Sequence, residues 1–290
     1  MRFRRITTIA ALAGLWLAAG CASGDTPTPT PTAEVTFEAG TTMATLKAAQ
    51  KITIGTKFDQ PLFGLKGLDG KPTGFDVEIG KIIAAELGIA ADKIEWVETK
   101  SAVREEVIEQ SKVDLVVATY TINDTRKQRV GFAGPYYVAG QDIMVRKDDT
   151  SITGPDSFKD GTKKVCSVTG STPAKKIEEY VKDKTAQIVL FGGYAQCVEA
   201  LKTKVVDAVT TDNVILLGYV DQDPTAFKIL NKPFTQEPYG IGVKKDDTKF
   251  RDFINTVLEK IYTDGRYAQA WKDTVGDVAP APTGPAVNRY

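Results

Sequence analysis

The chain has 290 residues, 37 Lys and Arg against 37 Asp and Glu, three cysteines and no histidine. Balanced charge without a basic stripe argues against a nucleic-acid partner. The lack of histidine excludes Ser-His-Asp and Cys-His nucleophilic sites and removes the commonest zinc ligand, so an enzyme here would have to work with carboxylate, lysine or tyrosine.

Arg2, Arg4 and Arg5 precede an apolar run from Ile6 to Ala19 that is broken only by Thr7 and Thr8 and stops at Gly20-Cys21. The run falls short of the about 20 apolar residues that cross a bilayer, and its cationic start marks residues 1–20 as a secretory signal peptide. Leu17-Ala-Ala-Gly-Cys21 resembles a bacterial lipobox, with Ala18 where leucine is usual. That resemblance implies lipid on Cys21, hence an extracytoplasmic protein anchored to the bacterial cell membrane; a plain signal peptide with an incidental cysteine is the alternative. Residues 21–45 include Thr-Pro-Thr-Pro-Thr-Pro-Thr, which cannot bury a core and reads as an extended, polyproline-like tether. A glycosylated or disordered leader has the same composition. Removing residues 1–20 leaves 270 residues, with 34 Lys and Arg against 37 Asp and Glu, a formal charge of −3.

From Lys51 the chain alternates short apolar runs with amphipathic helices, an α/β pattern around mostly parallel strands. Strands are expected at Lys51–Gly55, Ile94–Val97 and Asp114–Ala118, and helices at Phe75–Leu87, stopped by Gly88, and from about Ala102 to Gln110. The pattern restarts with strands at Lys164–Val168, Gln187–Leu190 and Val205–Thr210 and helices at Pro173–Lys182 and Tyr194–Lys202. Helices Asp247–Tyr262 and Asp264–Thr274 close the chain, and residues 277–290, rich in Pro, Ala and Gly, are expected to be disordered. With Cys21 lipidated, Cys166 in a strand and Cys197 in a helix are left to pair in an exported chain; two buried free thiols are the alternative.

Thr119-Tyr-Thr-Ile-Asn-Asp-Thr-Arg126 joins the end of an apolar strand to hydroxyls, a capping pair and an arginine, a set suited to holding a carboxylate. The segment through Gly-Phe-Ala-Gly-Pro-Tyr-Tyr137 resembles the solute-binding proteins of polar amino-acid ABC importers (family 3). Gly-Phe-Asp76, Val206-Asp-Ala-Val209 and Asp264-Gly265 fall in the family's order, so the resemblance spans about Leu46 to Gly276. It implies the two-lobed type II periplasmic-binding-protein fold, with residues 46–142 and 244–276 in lobe 1 and 143–243 in lobe 2. Two extended hinge segments, Ile143–Arg146 and Tyr239–Val243, would join them.

The resemblance assigns the ligand's α-carboxylate to Thr119, Thr121 and Arg126, and its α-ammonium to Asp212. Ser171 and Thr172, in the turn Gly170-Ser-Thr-Pro173, would meet the ligand from lobe 2, with Thr172 also able to cap the next helix at Pro173. Lys57 and Arg104 stand where glutamate- and aspartate-binding relatives carry cations, which points to an acidic side chain. Plainer readings exist: Asp212 as an N-cap, Lys57 at the surface, Arg104 paired with Glu105 or Glu109 along its helix. Gln60 replaces the aromatic of many relatives, which leaves Phe58, Phe63 and Tyr120 as stacking candidates. The expected protein is a monomeric binding lipoprotein for glutamate, aspartate, glutamine or asparagine that serves ABC permease subunits, with no cofactor or metal. A sensor that signals through a membrane partner, or a dehydratase-like enzyme using a group such as Glu237, fits the same architecture.

Overall fold

The protein is described by a computed structural model covering residues 29–31 and 35–290. The expected signal peptide and the lipidation at Cys21 lie outside the described residues. In chain order, the first part contains helix α1 (Thr42–Ala49), strand β1 (Ile52–Thr56), the short strands β2 (Asp59–Gln60), β3 (Gly64–Lys66) and β4 (Pro72–Thr73), and helix α2 (Phe75–Glu86). It continues with β5 (Ile94–Glu98), α3 (Arg104–Glu109), β6 (Leu115–Val116), the single turn α4 (Asp124–Lys127) and the long β7 (Val130–Ala139). The second part runs through β8 (Gln141–Arg146), β9 (Val165–Val168), α5 (Thr172–Ile177), α6 (Lys184–Gln187), β10 (Ile188–Phe191), α7 (Tyr194–Lys202), β11 (Ala208–Asp212), α8 (Asn213–Gln222) and β12 (Phe227–Ile229). Strand β13 (Glu237–Lys244) then leads to α9 (Thr248–Asp264) and α10 (Arg266–Thr274).

Two five-stranded sheets follow one plan, β5-β1-β6-β13-β7 and β10-β9-β11-β8-β12. In each, three parallel strands are followed by one reversed strand, β13 or β8, and then by an edge strand that pairs antiparallel with it. Both faces are covered, which is why the strands read as continuous apolar runs. Leu115 and Val117 pack with α2 and α9, whereas Val116 and Ala118 turn to the other side with Ile108 of α3. Ile143 and Val145 likewise part from Met144, as the alternation of side chains along a strand requires. Gly88, at φ +74, ends α2 in the left-handed region that a glycine reaches without steric cost.

This is the two-lobed, type II binding-protein architecture, with mixed sheets flanked by helices. The crossings fall elsewhere than the expected boundaries, 143 and 243. The chain changes sheets at Gly140, between β7 and β8, and returns between Ile229 and Glu237, because β13 pairs along β7 of the first sheet over nearly its whole length. The tether also ends sooner than residue 45: α1 begins at Thr42, and Phe37 packs edge-on against Phe253 of α9 with ring centres 5.5 Å apart. Residues 277–290 form no helix or strand, yet they differ from the expected disorder by lying along lobe 1. The Asn288 N–H donates to the Gly134 carbonyl, the Phe132 N–H donates to the Tyr290 hydroxyl, and the Tyr290 ring lies 4.5 Å from both Lys127 and Arg251. Composition suggested a free tail; the terminal aromatic and Arg289, paired with Glu259, supply the docking groups.

Cys166 and Cys197 form a disulfide, Cα to Cα 5.5 Å, tying β9 to α7 within the second lobe.

Candidate functional site

Loops that follow the carboxyl ends of the parallel strands of both sheets converge on one narrow cavity. Lobe 1 supplies Gln60, Ser101, Arg104, Thr119 and Thr121; lobe 2 supplies Ser171, Thr172, Pro173, Tyr194, Asp212 and Ile215. A larger hollow between Pro29–Pro31 and Trp96 lies on the outer edge of lobe 1, and among the described residues none of those lining it has a buried side-chain atom without a partner.

Thr119 sits just past β6 with φ +44, an uncommon conformation for a β-branched residue. It is pinned from below: its N–H donates to Asp76 Oδ2 at 2.7 Å, and Asp76 Oδ1 accepts from the Tyr136 hydroxyl at 2.6 Å. Complete burial raises the Asp76 carboxyl to about 7 despite these bonds. The Thr119 hydroxyl donates to Gln60 Oε1 at 3.0 Å, which holds both side chains at the cavity wall.

Arg104 is buried at the start of α3, and its Nη1 donates to the carbonyls of Ala118 and Thr119 at 3.0 and 3.2 Å. Its Nε has no partner. The helix-pairing alternative does not hold, since Glu109 pairs with Arg129 and Glu105 with Arg126. Nor is Lys57 a surface residue: it is 4% exposed, and its ammonium donates to Ser101 Oγ at 2.8 Å. Burial, reinforced by Arg104, holds its pKa well below the usual lysine value.

Asn123 caps α4 by accepting from the Arg126 N–H, which sets Arg126 in that single turn. The Arg126 guanidinium spends its donors on protein groups: the Thr121 carbonyl at 2.7 Å, the Gly170 carbonyl of lobe 2 at 3.2 Å, and Glu105 at 3.2 Å. Burial and the neighbouring Arg104 lower its pKa to about 10. Tyr120 lies beneath both arginines, its ring centre 4.3 Å from the Arg104 guanidinium and 5.0 Å from that of Arg126.

From lobe 2, Ser171 and not Thr172 caps α5, accepting from the Ala174 N–H, so Pro173 occupies the second helical position. The reason is register, for the helix begins one residue before the proline. The Thr172 hydroxyl is thereby released across the cleft, 3.3 Å from the Thr121 hydroxyl and donating to Glu237 Oε2 at 2.8 Å. Asp212 ends β11 and precedes α8 but makes no side-chain cap bond. Oδ2 accepts from the Tyr239 hydroxyl at 2.6 Å, while Oδ1 is buried without a partner. Burial, with Glu237 nearby, raises its carboxyl to about 7.

Seven of the nine expected residues therefore line the cavity: Gln60, Arg104, Thr119, Thr121, Ser171, Thr172 and Asp212. Lys57 and Arg126 stand one layer behind, on Ser101 and on the Thr121 and Gly170 carbonyls. None of the aromatic candidates Phe58, Phe63 and Tyr120 lines it; Phe63 is wholly buried among Phe75, Tyr137, Tyr239 and Trp271. Tyr194 was not foreseen. It begins α7, just after β10, so the strand-end rule that found the others would have found it too.

The sequence profile of the bacterial extracellular solute-binding proteins, family 3, matches residues 52–275. The chain is 41% identical over 235 residues to the glutamate-binding protein GluB of Corynebacterium efficiens, covering 78% of this chain and 79% of that protein. It is 39% identical over 232 residues to the ABC transporter glutamine-binding protein GlnH of Bacillus subtilis, covering 80% and 83%. An ancestral arginine-binding protein bound to arginine superposes with a TM-score of 0.73 at 35% identity, covering 78% of this chain and 99% of that one. These relatives are binding proteins and not enzymes, which removes the dehydratase alternative. With the family's fold, its profile over most of the chain and a cleft built at its strand ends, the chain belongs to the bacterial extracellular solute-binding proteins of family 3.

Proposed function

We propose that the protein captures glutamate, or its relatives aspartate, glutamine or asparagine, between the two lobes. It then delivers the amino acid to an ABC importer while held at the cell membrane through lipid on Cys21. The observation that carries this reading is that Asp212 and Arg104 line the same cavity, and each keeps a buried side-chain atom without a partner, Asp212 Oδ1 and Arg104 Nε. A buried charge needs a partner of opposite sign. An α-ammonium at Asp212 and a carboxylate at Arg104 supply both. Thr119, Thr121 and Arg126 hold the α-carboxylate, with Arg126 exchanging the Gly170 carbonyl, its cross-lobe contact, for the ligand. Ser171 and Thr172 close over the ligand from lobe 2, and Gln60 at the wall lies within reach of its side chain. Arg104, backed by Lys57 through Ser101, favours an acidic side chain. The names of the glutamate- and glutamine-binding relatives support the ligand class.

A thermal-shift panel of the amino acids tests the reading. A ligand at 100 times its Kd raises stability by about 2.7 kcal/mol. Glutamate or aspartate should give the largest shift. Arg126→Ala should abolish the shift for every ligand, and Arg104→Ala should remove the preference for acidic ones. No shift with any amino acid overturns the proposal; a neutral winner that is indifferent to Arg104→Ala overturns the acidic pocket alone.

A further inference from the structure

Away from the ligand cavity, lobe 2 presents glycine at two close contacts with lobe 1. A Cβ on Gly193 would stand 2.5 Å from Asp59 Oδ2, and one on Gly218 would stand 2.4 Å from the Pro61 carbonyl oxygen. Neither glycine is demanded by its own backbone. Gly193 has φ −150, open to any residue, and Gly218 lies inside α8, where glycine costs up to about 1 kcal/mol relative to alanine. The approach of lobe 1 accounts for both. Gly170 also meets lobe 1, at Ala102, but its φ of +78 is a separate reason for glycine.

At the same contact, Asp59 Oδ2 accepts the N–H of Tyr194 at 2.7 Å. Tyr194 is the first residue of α7, a nine-residue helix whose own cap, Gly193, has no side chain to offer. The Tyr219 hydroxyl of α8 donates to the Asp59 carbonyl. A carboxylate on a helix N-terminus satisfies a free N–H and meets the positive end of the helix dipole. Here it comes from the opposite lobe.

We propose that Asp59, Gly193 and Gly218 form a closing latch. The α7 cap is completed only when the lobes shut, and the two glycines let lobe 1 come near enough to complete it. Asp59 is thus a positioning residue: it favours the closed form, and through it ligand affinity, without lining the cavity. The effect on affinity rests on the ligand-capture reading; the latch itself does not depend on which amino acid is bound.

The test compares the full chain with Gly218→Ala, Asp59→Ala and Asp59→Asn by thermal unfolding, by calorimetric titration with each amino acid that binds the wild type, and by small-angle scattering. Alanine favours a helix, so Gly218→Ala should leave the unliganded unfolding midpoint unchanged or higher. Its affinity should nevertheless fall at least tenfold, by the same factor for every ligand, and its radius of gyration should stay expanded at saturating ligand. Asp59→Ala should lose less, with Asp59→Asn, which keeps an acceptor oxygen, between it and the wild type. Wild-type affinity and compaction in Gly218→Ala overturn the latch, as does a changed ranking among ligands. If no amino acid binds the wild type, the capture reading fails by itself; scattering then decides the latch, and equal radii for wild type and Gly218→Ala overturn it.

Discussion

In the proposed site, Asp212 is the side chain expected to couple binding to pH. Its folded carboxyl is raised to about 7 from an ordinary 3.8, with burial the larger cause and Glu237 the second. A raised carboxyl contributes stability that is fully present below its unfolded pKa and is lost as pH rises through the folded value. The unliganded protein should therefore lose stability from about pH 4 to pH 7, and Asp212→Asn should flatten that loss. An ammonium ligand requires the ionised form, so affinity for glutamate should climb up to tenfold per pH unit below about pH 7 and level off above it. Titration calorimetry between pH 5.5 and 8 reads the slope. Asp212→Asn should lower affinity at least a hundredfold and abolish the slope in affinity; the loss of stability with pH should be reduced but not removed, because Asp76, also raised to about 7 and bound to Thr119 and Tyr136, titrates over the same range. Asp212 was legible because it follows a strand in a restarted α/β pattern. The turning of Arg126 onto Gly170, 44 positions along the chain, was not, since nothing local to either residue records that contact.

Among elements, those with strong periodicity matched closely. Helix α7 begins and ends where its apolar spacing places it, at Tyr194 and Lys202. Helix α5 stops at Ile177, five residues before the expected Lys182, because the segment after it turns and Asp183 caps a new short helix. The small sheet of β2, β3 and β4 went unread; its strands are two or three residues long and too short for any period to register. Two consequences can be measured at this scale. Ser171→Ala removes the α5 cap and should cost about 1 kcal/mol in denaturant unfolding. Because Thr172 faces the cleft instead of capping, Thr172→Ala should spare stability and weaken ligand binding. Breaking the disulfide, which spans 31 positions, by changing both Cys166 and Cys197 to Ser should cost about 4 kcal/mol in the chain-entropy picture. That loss should fall on the second lobe, so hydrogen exchange should quicken in β9, β10 and α7 while the first sheet keeps its protection.

For the molecule as a whole, sequence order foretold two lobes but not the placement of the crossings, because an antiparallel partner such as β13 can belong to either sheet until its pairing with β7 is known. The same limit applied to the C-terminal residues. Deleting residues 287–290 removes the Tyr290 and Asn288 contacts to β7, the edge strand of the first sheet. Exposed strand edges invite pairing with other chains, so the truncated protein should show a lower unfolding midpoint and concentration-dependent association by light scattering. The docking of that tail has a mechanical counterpart at the other end. Phe37 and Glu38 lean on α9 at Phe253 and Lys249, and Arg289 grips the same helix at Glu259. Both ends of the described chain thus depart from lobe 1. A surface, a fluorophore or a fused domain attached through either end should therefore hold the molecule by lobe 1 and leave the half bearing α5, α7 and α8 facing away from the attachment.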